Sequence, residues 1–285
     1  PLVVKPNAGL PDPITNTYDI TPEEFASYVA DMANYGIRVV GGCCGTNPEY
    51  IKATIKKLST IHPNVEKKEI PSAVCSSSKT VVINQPRIIG ERINPTGKKR
   101  FKEALKNNDL DYILGQAIEQ AQGGAEILDV NVGLPGIDEK EMMIKTVKAL
   151  QGVTNLPLQL DSTIPEVLEA ALRVYNGKAI VNSVNGEEES LKNVLPIVKK
   201  YGAAVVGLTL DKDGIPPKAE KRFEIAKKIM NRALEIGIPK ENIFIDCLTL
   251  TASAEQAAVM ETLKAVNMVK TQLGLHTVLG VSNIS

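Results

Sequence analysis

This chain of 285 residues has no tryptophan, only 4% aromatic residues, and 33 basic side chains balanced by 33 acidic ones. Zero net charge excludes a nucleic-acid binder that works through bulk electrostatics, and so few aromatics leave few platforms on which bases stack. Histidine occurs twice, at His62 and His276, so no histidine-rich metal site is available. Four cysteines are too few for a disulfide framework and point to a reduced, cytoplasmic setting. No apolar run approaches the roughly 18 residues of a spanning helix, so no membrane role is expected. The opening Pro1-Leu2-Val3-Val4-Lys5-Pro6 lacks the charged and apolar regions of a signal peptide. It also lacks an initiator methionine, and the expectation is a chain that begins mid-protein. No G-x-G-x-x-G follows a first strand, which weakens a dinucleotide-binding reading.

What is present is alternation of strand and helix in two regions. In the first, Leu2 to Lys5 reads as a strand running into the turn Pro6-Asn7-Ala8-Gly9. Thr21-Pro22-Glu23-Glu24 opens a helix, with Thr21 as N-cap, Pro22 at the first helical position and Glu24 closing a capping box. Phe25, Tyr28, Val29, Met32 and Ala33 then recur at helical spacing. Arg38 to Val40 reads as the next strand and Pro48 to Leu58 as the next helix. Two such units cannot bury a barrel's core, so residues 1–61 read as the end of a larger domain. Between the second strand and second helix stand Cys43 and Cys44, in Gly41-Gly42-Cys43-Cys44-Gly45-Thr46. Neighbouring cysteines do not easily bridge each other. Two thiolates at a strand's C-terminal end make half of a tetrahedral zinc shell; the third ligand is not visible in this sequence. The alternative is a pair of buried structural thiols in a non-enzymatic binding module.

Residues 62–86 read as a polar linker with a short hairpin. Ala73-Val74-Cys75 is too short for a strand, and Thr80 to Ile83 is the better candidate. From residue 87 the alternation becomes regular, with strands at 88–90, 127–130, 158–160, 179–181, 204–206, 243–245 and 278–281 and helices filling the gaps. This predicts an α/β fold with a parallel sheet, a (β/α)8 TIM-type barrel incomplete at its C-terminal end, with an open doubly wound sheet as the alternative. Polar residues recur at the strand ends: Glu91, Arg92 and Asn94; Asp129 and Asn131; Asp161 and Ser162; Asn182 and Ser183; Asp246; Ser282 and Asn283. Any one of them can be a turn former or helix cap, as Asp211 in Asp211-Lys212-Asp213-Gly214 is read to be. The set, with Arg92 almost the only cation, suits a flat neutral heterocycle. A pterin ring offers N3–H and a 2-amino group side by side, which one carboxylate accepts together. Magnesium held by three aspartates is the rival.

These segments carry a resemblance. Residues 87–285 resemble the pterin-binding barrel of dihydropteroate synthases and folate-dependent methyltransferases, through Gly90-Glu91-Arg92-Ile93-Asn94-Pro95-Thr96-Gly97, Asp129-Val130-Asn131-Val132-Gly133, Leu160-Asp161-Ser162, Val181-Asn182-Ser183-Val184, Ile245-Asp246 and Gly280-Val281-Ser282-Asn283. Residues 1–59 resemble the end of a homocysteine-binding barrel, through Pro6-Asn7-Ala8-Gly9 and Gly41-Gly42-Cys43-Cys44-Gly45-Thr46. In this order the two resemble the cobalamin-dependent methionine synthases. The resemblance implies an enzyme of methionine biosynthesis that moves a methyl group from 5-methyltetrahydrofolate, through cobalamin carried by a separate module, to zinc-bound homocysteine. It implies Cys43 and Cys44 as zinc ligands, Asp161, Asn182 and Asp246 on the pterin edge, and Asn283 near N5. A stand-alone folate:corrinoid methyltransferase shares the second barrel. A dihydropteroate synthase would carry a lysine after the seventh strand and an arginine-containing loop after the second, where this sequence has Ser282-Asn283 and Val132-Gly133-Leu134-Pro135.

Overall fold

The computed structural model describes residues 2–61, 70–249 and 256–280. The chain divides into two compact units, Pro1–Glu69 and Ile70–Ser285.

The first unit comprises β1 (Leu2–Val4), α1 (Pro22–Ala33), β2 (Ile37–Val40) and α2 (Pro48–Leu58), with the two strands paired in parallel. The capping box forms: the Thr21 hydroxyl accepts from the Glu24 amide, and the Glu24 carboxylate accepts from the Thr21 amide at 2.9 Å. The helices meet through Phe25 and Tyr50, ring edge to ring face with centroids 5.5 Å apart. Ala8, Phe25, Val29 and Tyr50 form a small core, and the Tyr50 hydroxyl donates to the Ile20 carbonyl at 2.7 Å.

The second unit opens with an antiparallel hairpin of β3 (Ala73–Cys75) and β4 (Thr80–Val82). A regular series follows: β5 (Ile89–Ile93), α3 (Lys99–Lys106), α4 (Leu110–Gln122), β6 (Ile127–Asn131), α5 (Glu139–Val153), β7 (Leu158–Asp161), α6 (Pro165–Val174), β8 (Ile180–Val184) and α7 (Glu188–Tyr201). The series continues with β9 (Ala204–Leu208), α8 (Ala219–Ile236), β10 (Ile243–Asp246), α9 (Gln256–Met268) and β11 (His276–Val278). Among the described residues, β5 to β11 form one seven-stranded sheet in sequence order, with neighbouring strands paired in parallel.

The sheet's two faces are both apolar, as a sheet covered on both sides requires. Leu128, Val130, Leu158, Leu160, Val181, Val205, Ile243 and Ile245 pack outward against the helices. Ile127, Ile180, Ala204, Val206 and Phe244 meet in a second cluster on the inner face. Side chains from four strands converge there, so the sheet curls around a lumen, the (β/α) barrel arrangement expected from the alternation.

Two expectations need correction. Residues 70–86 contain the expected short hairpin, but it is packed into the barrel's unit and not solvated. Val74 and Val81 are buried in the inner cluster, and Ala73–Cys75, thought too short, is a strand. Burial of two valines against the barrel's inner face stabilises what local propensity could not. The seventh strand of the sheet runs over His276–Val278, earlier than 278–281, because Phe244, Ile245 and Asp246 register with His276, Thr277 and Val278; residues 281–285 lie outside the described ones.

Candidate functional site

In the first unit, Cys43 and Cys44 are exposed and free, with their Sγ atoms 3.9 Å apart. The loop after β1 holds the loop after β2. The Cys43 amide donates to the Pro6 carbonyl at 3.0 Å, the Cys44 amide to Asn7 Oδ1 at 3.2 Å, and the Ala8 amide to the Cys44 carbonyl at 2.9 Å. Thr46 Oγ1 donates to the Cys43 carbonyl at 2.7 Å. Gly45 turns the chain with φ of +78°, and the Tyr18 ring fills the space where a Cβ would project, so only glycine fits there. With Zn–S bonds of about 2.3 Å, the edge of a tetrahedral thiolate shell is about 3.8 Å. The two sulfurs therefore stand at the spacing of two ligands on one zinc. Among the described residues, no group of three His, Cys, Asp or Glu side chains forms a metal shell.

In the second unit, alternation along the strands decides which polar residues face the lumen. Ile127 and Ile180 point inward, so Asp129 and Asn182, two residues on, point inward too. Asp246 follows Phe244 in the same way, and Asp161 follows Gln159. Glu91, Asp129, Gln159, Asp161, Asn182 and Asp246 all line one cavity of about 1080 Å³. The registers Asp129↔Gln159, Asn131↔Asp161 and Asp161↔Asn182 set these groups side by side. Gln159 Nε2 donates to Asp129 Oδ1 at 2.6 Å, and Asn182 Nδ2 reaches the same oxygen at 3.4 Å. Asn131 Nδ2 donates to Asp161 Oδ2 at 2.9 Å, while its Oδ1 accepts from the Gly133 amide. Asp246 Oδ1 accepts from the Leu248 amide at 2.7 Å.

The carboxylates are electrostatically loaded. Burial, reinforced by the charge of Asp161, pushes Asp129 up to about 7. Burial likewise raises Asp161 and Asp246 above the ordinary carboxylate range. Lys98, whose ammonium donates to the Glu91 and Arg92 carbonyls at 3.2 Å, is lowered by burial. Such a group of carboxylates favours a ligand that brings N–H donors to them. Cys247, next to Asp246, is buried and its thiol is pushed up to about 12, so it stays protonated and inert.

Other strand-end residues have local employment. Asn94 Oδ1 accepts from the Thr96 amide at 2.9 Å, closing a turn. Arg92 is exposed. Ser162 donates to Glu139 at 2.5 Å and accepts from the Ile164 amide just before α6. Asp211 accepts from the Asp213 amide, the turn chemistry expected of it. Ser282 and Asn283 lie outside the described residues. Sequence reasoning missed Gln159 and Glu139. Gln159 was findable, because it stands two residues before Asp161 on one face. Glu139, in the first turn of α5, carries no signal that separates it from an ordinary acidic helix start.

A family model described as "Pterin binding enzyme" matches residues 90–285, and one described as "Homocysteine S-methyltransferase" matches residues 1–58. The methionine synthase of Mycobacterium leprae (strain TN) is 35% identical over 307 residues, covering 100% of this chain and 26% of that protein. The methionine synthase of Mycobacterium tuberculosis (strain ATCC 25618 / H37Rv) is 34% identical over 302 residues, covering 100% and 25%. The chain thus spans about a quarter of the length of these relatives. Among solved structures, the Xanthomonas albilineans dihydropteroate synthase with 4-aminobenzoic acid superposes with a TM-score of 0.60 at 19% identity, over 75% of this chain and 78% of that one. The 7,8-dihydropteroate synthase of Vibrio fischeri ES114 gives 0.54 at 16%, over 73% and 77%. These two establish the barrel fold alone. The family model spans most of the chain, from the strand that carries Glu91 past the one that ends at Val278, and the chain belongs to the pterin-binding enzymes.

Proposed function

We propose that this chain is part of a methyltransferase of methionine synthesis, with its second unit the binding barrel for 5-methyltetrahydrofolate. The observation that carries the reading is the convergence of Asp129, Asp161, Asn182 and Asp246 on one cavity, from the carboxyl-terminal halves of β6, β7, β8 and β10. Asp161, oriented by Asn131, accepts from the pterin N3–H and 2-amino group. Asn182 and Asp246 meet the remaining polar edge. The raised carboxylates regain hydrogen-bond donors when the ring enters. Asn283 is assigned to N5, where a hydrogen bond assists departure of the methyl group from an otherwise poor leaving amine.

The methyl acceptor is cobalamin carried by a separate module, and the final acceptor is homocysteine. Cys43 and Cys44 are assigned as two zinc ligands in the unit that takes homocysteine, and their 3.9 Å spacing supports this. Zinc there would lower the pKa of the homocysteine thiol and so supply a thiolate near neutral pH.

Calorimetric titration of the full-length protein with 5-methyltetrahydrofolate tests the reading, with 7,8-dihydropterin and 4-aminobenzoate as comparison ligands. Saturable binding of the methylated folate, weakened by substitution at Asp161, is expected. Condensation of 6-hydroxymethyl-7,8-dihydropterin diphosphate with 4-aminobenzoate, with release of diphosphate, would instead assign the barrel to dihydropteroate synthesis.

A further inference from the structure

Arg222, in α8, has no exposed surface, and no described carboxylate is within ion-pair distance of it, Glu261 acting on it only from farther away. A buried cation without a contact counter-charge is costly, so its hydrogen bonds define what it does. Its Nε donates to the Pro216 carbonyl at 2.7 Å. Its Nη1 faces three acceptors: the Cys247 and Leu248 carbonyls, each at 2.9 Å, and Thr262 Oγ1 at 2.7 Å. Two of these belong to the residues directly after Asp246.

That short segment is strained. Leu248 has φ of +56°, a left-handed conformation that side chains other than glycine and asparagine rarely adopt. Such a conformation persists only where its surroundings over-determine it. Here the Leu248 amide is fixed by the Asp246 carboxylate at 2.7 Å, and its carbonyl by Arg222 and by Thr262 Oγ1 at 3.0 Å. The Asp246 carboxylate faces the cavity. An apolar side chain at position 222 would fill the same space without a desolvation cost. Anchoring α8 to the sheet therefore does not account for an arginine, whereas gripping two successive carbonyls does.

We propose that Arg222 is a positioning residue for pterin binding. By holding the Cys247 and Leu248 carbonyls it keeps Leu248 in its left-handed turn, and that turn aims Asp246 at the ligand. The proposal rests on the reading of Asp246 as a pterin contact. A double-mutant cycle in the full-length protein separates the two ideas, using Arg222→Lys, Asp246→Asn and the pair, with calorimetric Kd for 5-methyltetrahydrofolate.

Lysine keeps the charge but cannot grip several acceptors in fixed directions. Arg222→Lys should weaken binding by about 5- to 30-fold, within the span of coupling between residues in one network. Turnover at saturating folate should change much less. Added to Asp246→Asn, it should cost nothing further. Thr262→Val, nearly isosteric, removes one acceptor and should give the same pattern at about 2- to 5-fold, which keeps the test open if Arg222→Lys does not fold. Unchanged affinity in both Arg222→Lys and Thr262→Val, or losses that multiply with that of Asp246→Asn, would overturn the role of Arg222. Unchanged affinity in Asp246→Asn alone would instead overturn the pterin-contact reading, and the proposal with it.

Discussion

Asn131 donates its side-chain amide to one carboxylate oxygen of Asp161 at 2.9 Å, and no other described residue donates to that carboxylate. The amide is itself oriented by the Gly133 amide on its carbonyl oxygen, so Asp161 enters the cavity with a fixed rotamer and acceptor capacity to spare. Asp161→Asn would set a donor against the pterin's donors. Loss of a charged hydrogen bond plus an unsatisfied buried group costs on the order of 2–4 kcal/mol, so affinity of the full-length protein for 5-methyltetrahydrofolate should fall at least about tenfold. Unchanged affinity would leave Asp161 a purely structural residue.

The burial of Asp129 makes the barrel's stability depend on pH. Its folded-state pKa, about 7, lies above that of an unfolded aspartate, so the folded protein binds the proton more tightly. Stability from this group is therefore greatest in acid, declines as pH rises from about 4 to about 7, and is level above that. Asp129→Asn keeps an oxygen to accept from Gln159 and cannot ionise. Its melting temperature relative to the parent should climb between about pH 5 and pH 7.5. A difference that stays flat over that range would show that Asp129 carries its charge throughout.

Zinc binding by the cysteine pair has a direct assay. The full-length protein should contain one zinc per chain by elemental analysis, and Cys44→Ala should lose it, because removing one thiolate leaves the shell open. Equal zinc in parent and variant would remove Cys44 from the ligand set.

Asn283 is expected to act in the transition state, where positive charge develops at N5. Asn283→Ala should slow single-turnover methyl transfer by roughly 10- to 1,000-fold, the range of positioned proton-transfer or charge-stabilising groups, with folate affinity falling much less. A rate within a factor of about two of the parent at saturating folate would exclude this role.

The sequence exposed the regular parts of this architecture because they obey short-range rules. The Thr21–Glu24 capping box and the β-strands at 127, 158, 180, 204 and 243 are written in neighbouring residues. So was the company of Asp129, Asp161, Asn182 and Asp246, since each ends or nearly ends a strand. What could not be read was which polar residues at the strand ends reach the cavity and which close local turns. Asn94 and Asp161 look alike in sequence, yet Asn94 closes its own turn while Asp161 lines the cavity. Arg222 sits among the charges of an amphipathic helix, and only the loops after β9 and β10 reveal it as buried. The burial of the β3–β4 hairpin escaped for the same reason: its partners lie from dozens to well over a hundred positions away. The Ser72 hydroxyl donates to the Glu241 carbonyl across 169 positions at 2.6 Å.

That distance along the chain also sets an order of assembly. The hairpin is the first part of its unit to be synthesised, yet Val74 and Val81 rest on Ile127, Ile180, Ala204, Val206 and Phe244. Cys75 pairs with Lys178, and Ser72 waits for Glu241. Closing loops of this length is entropically slow. The segment of this unit that is made first is thus seated late, and until β10 has joined the sheet its two valines have no complete surface to cover.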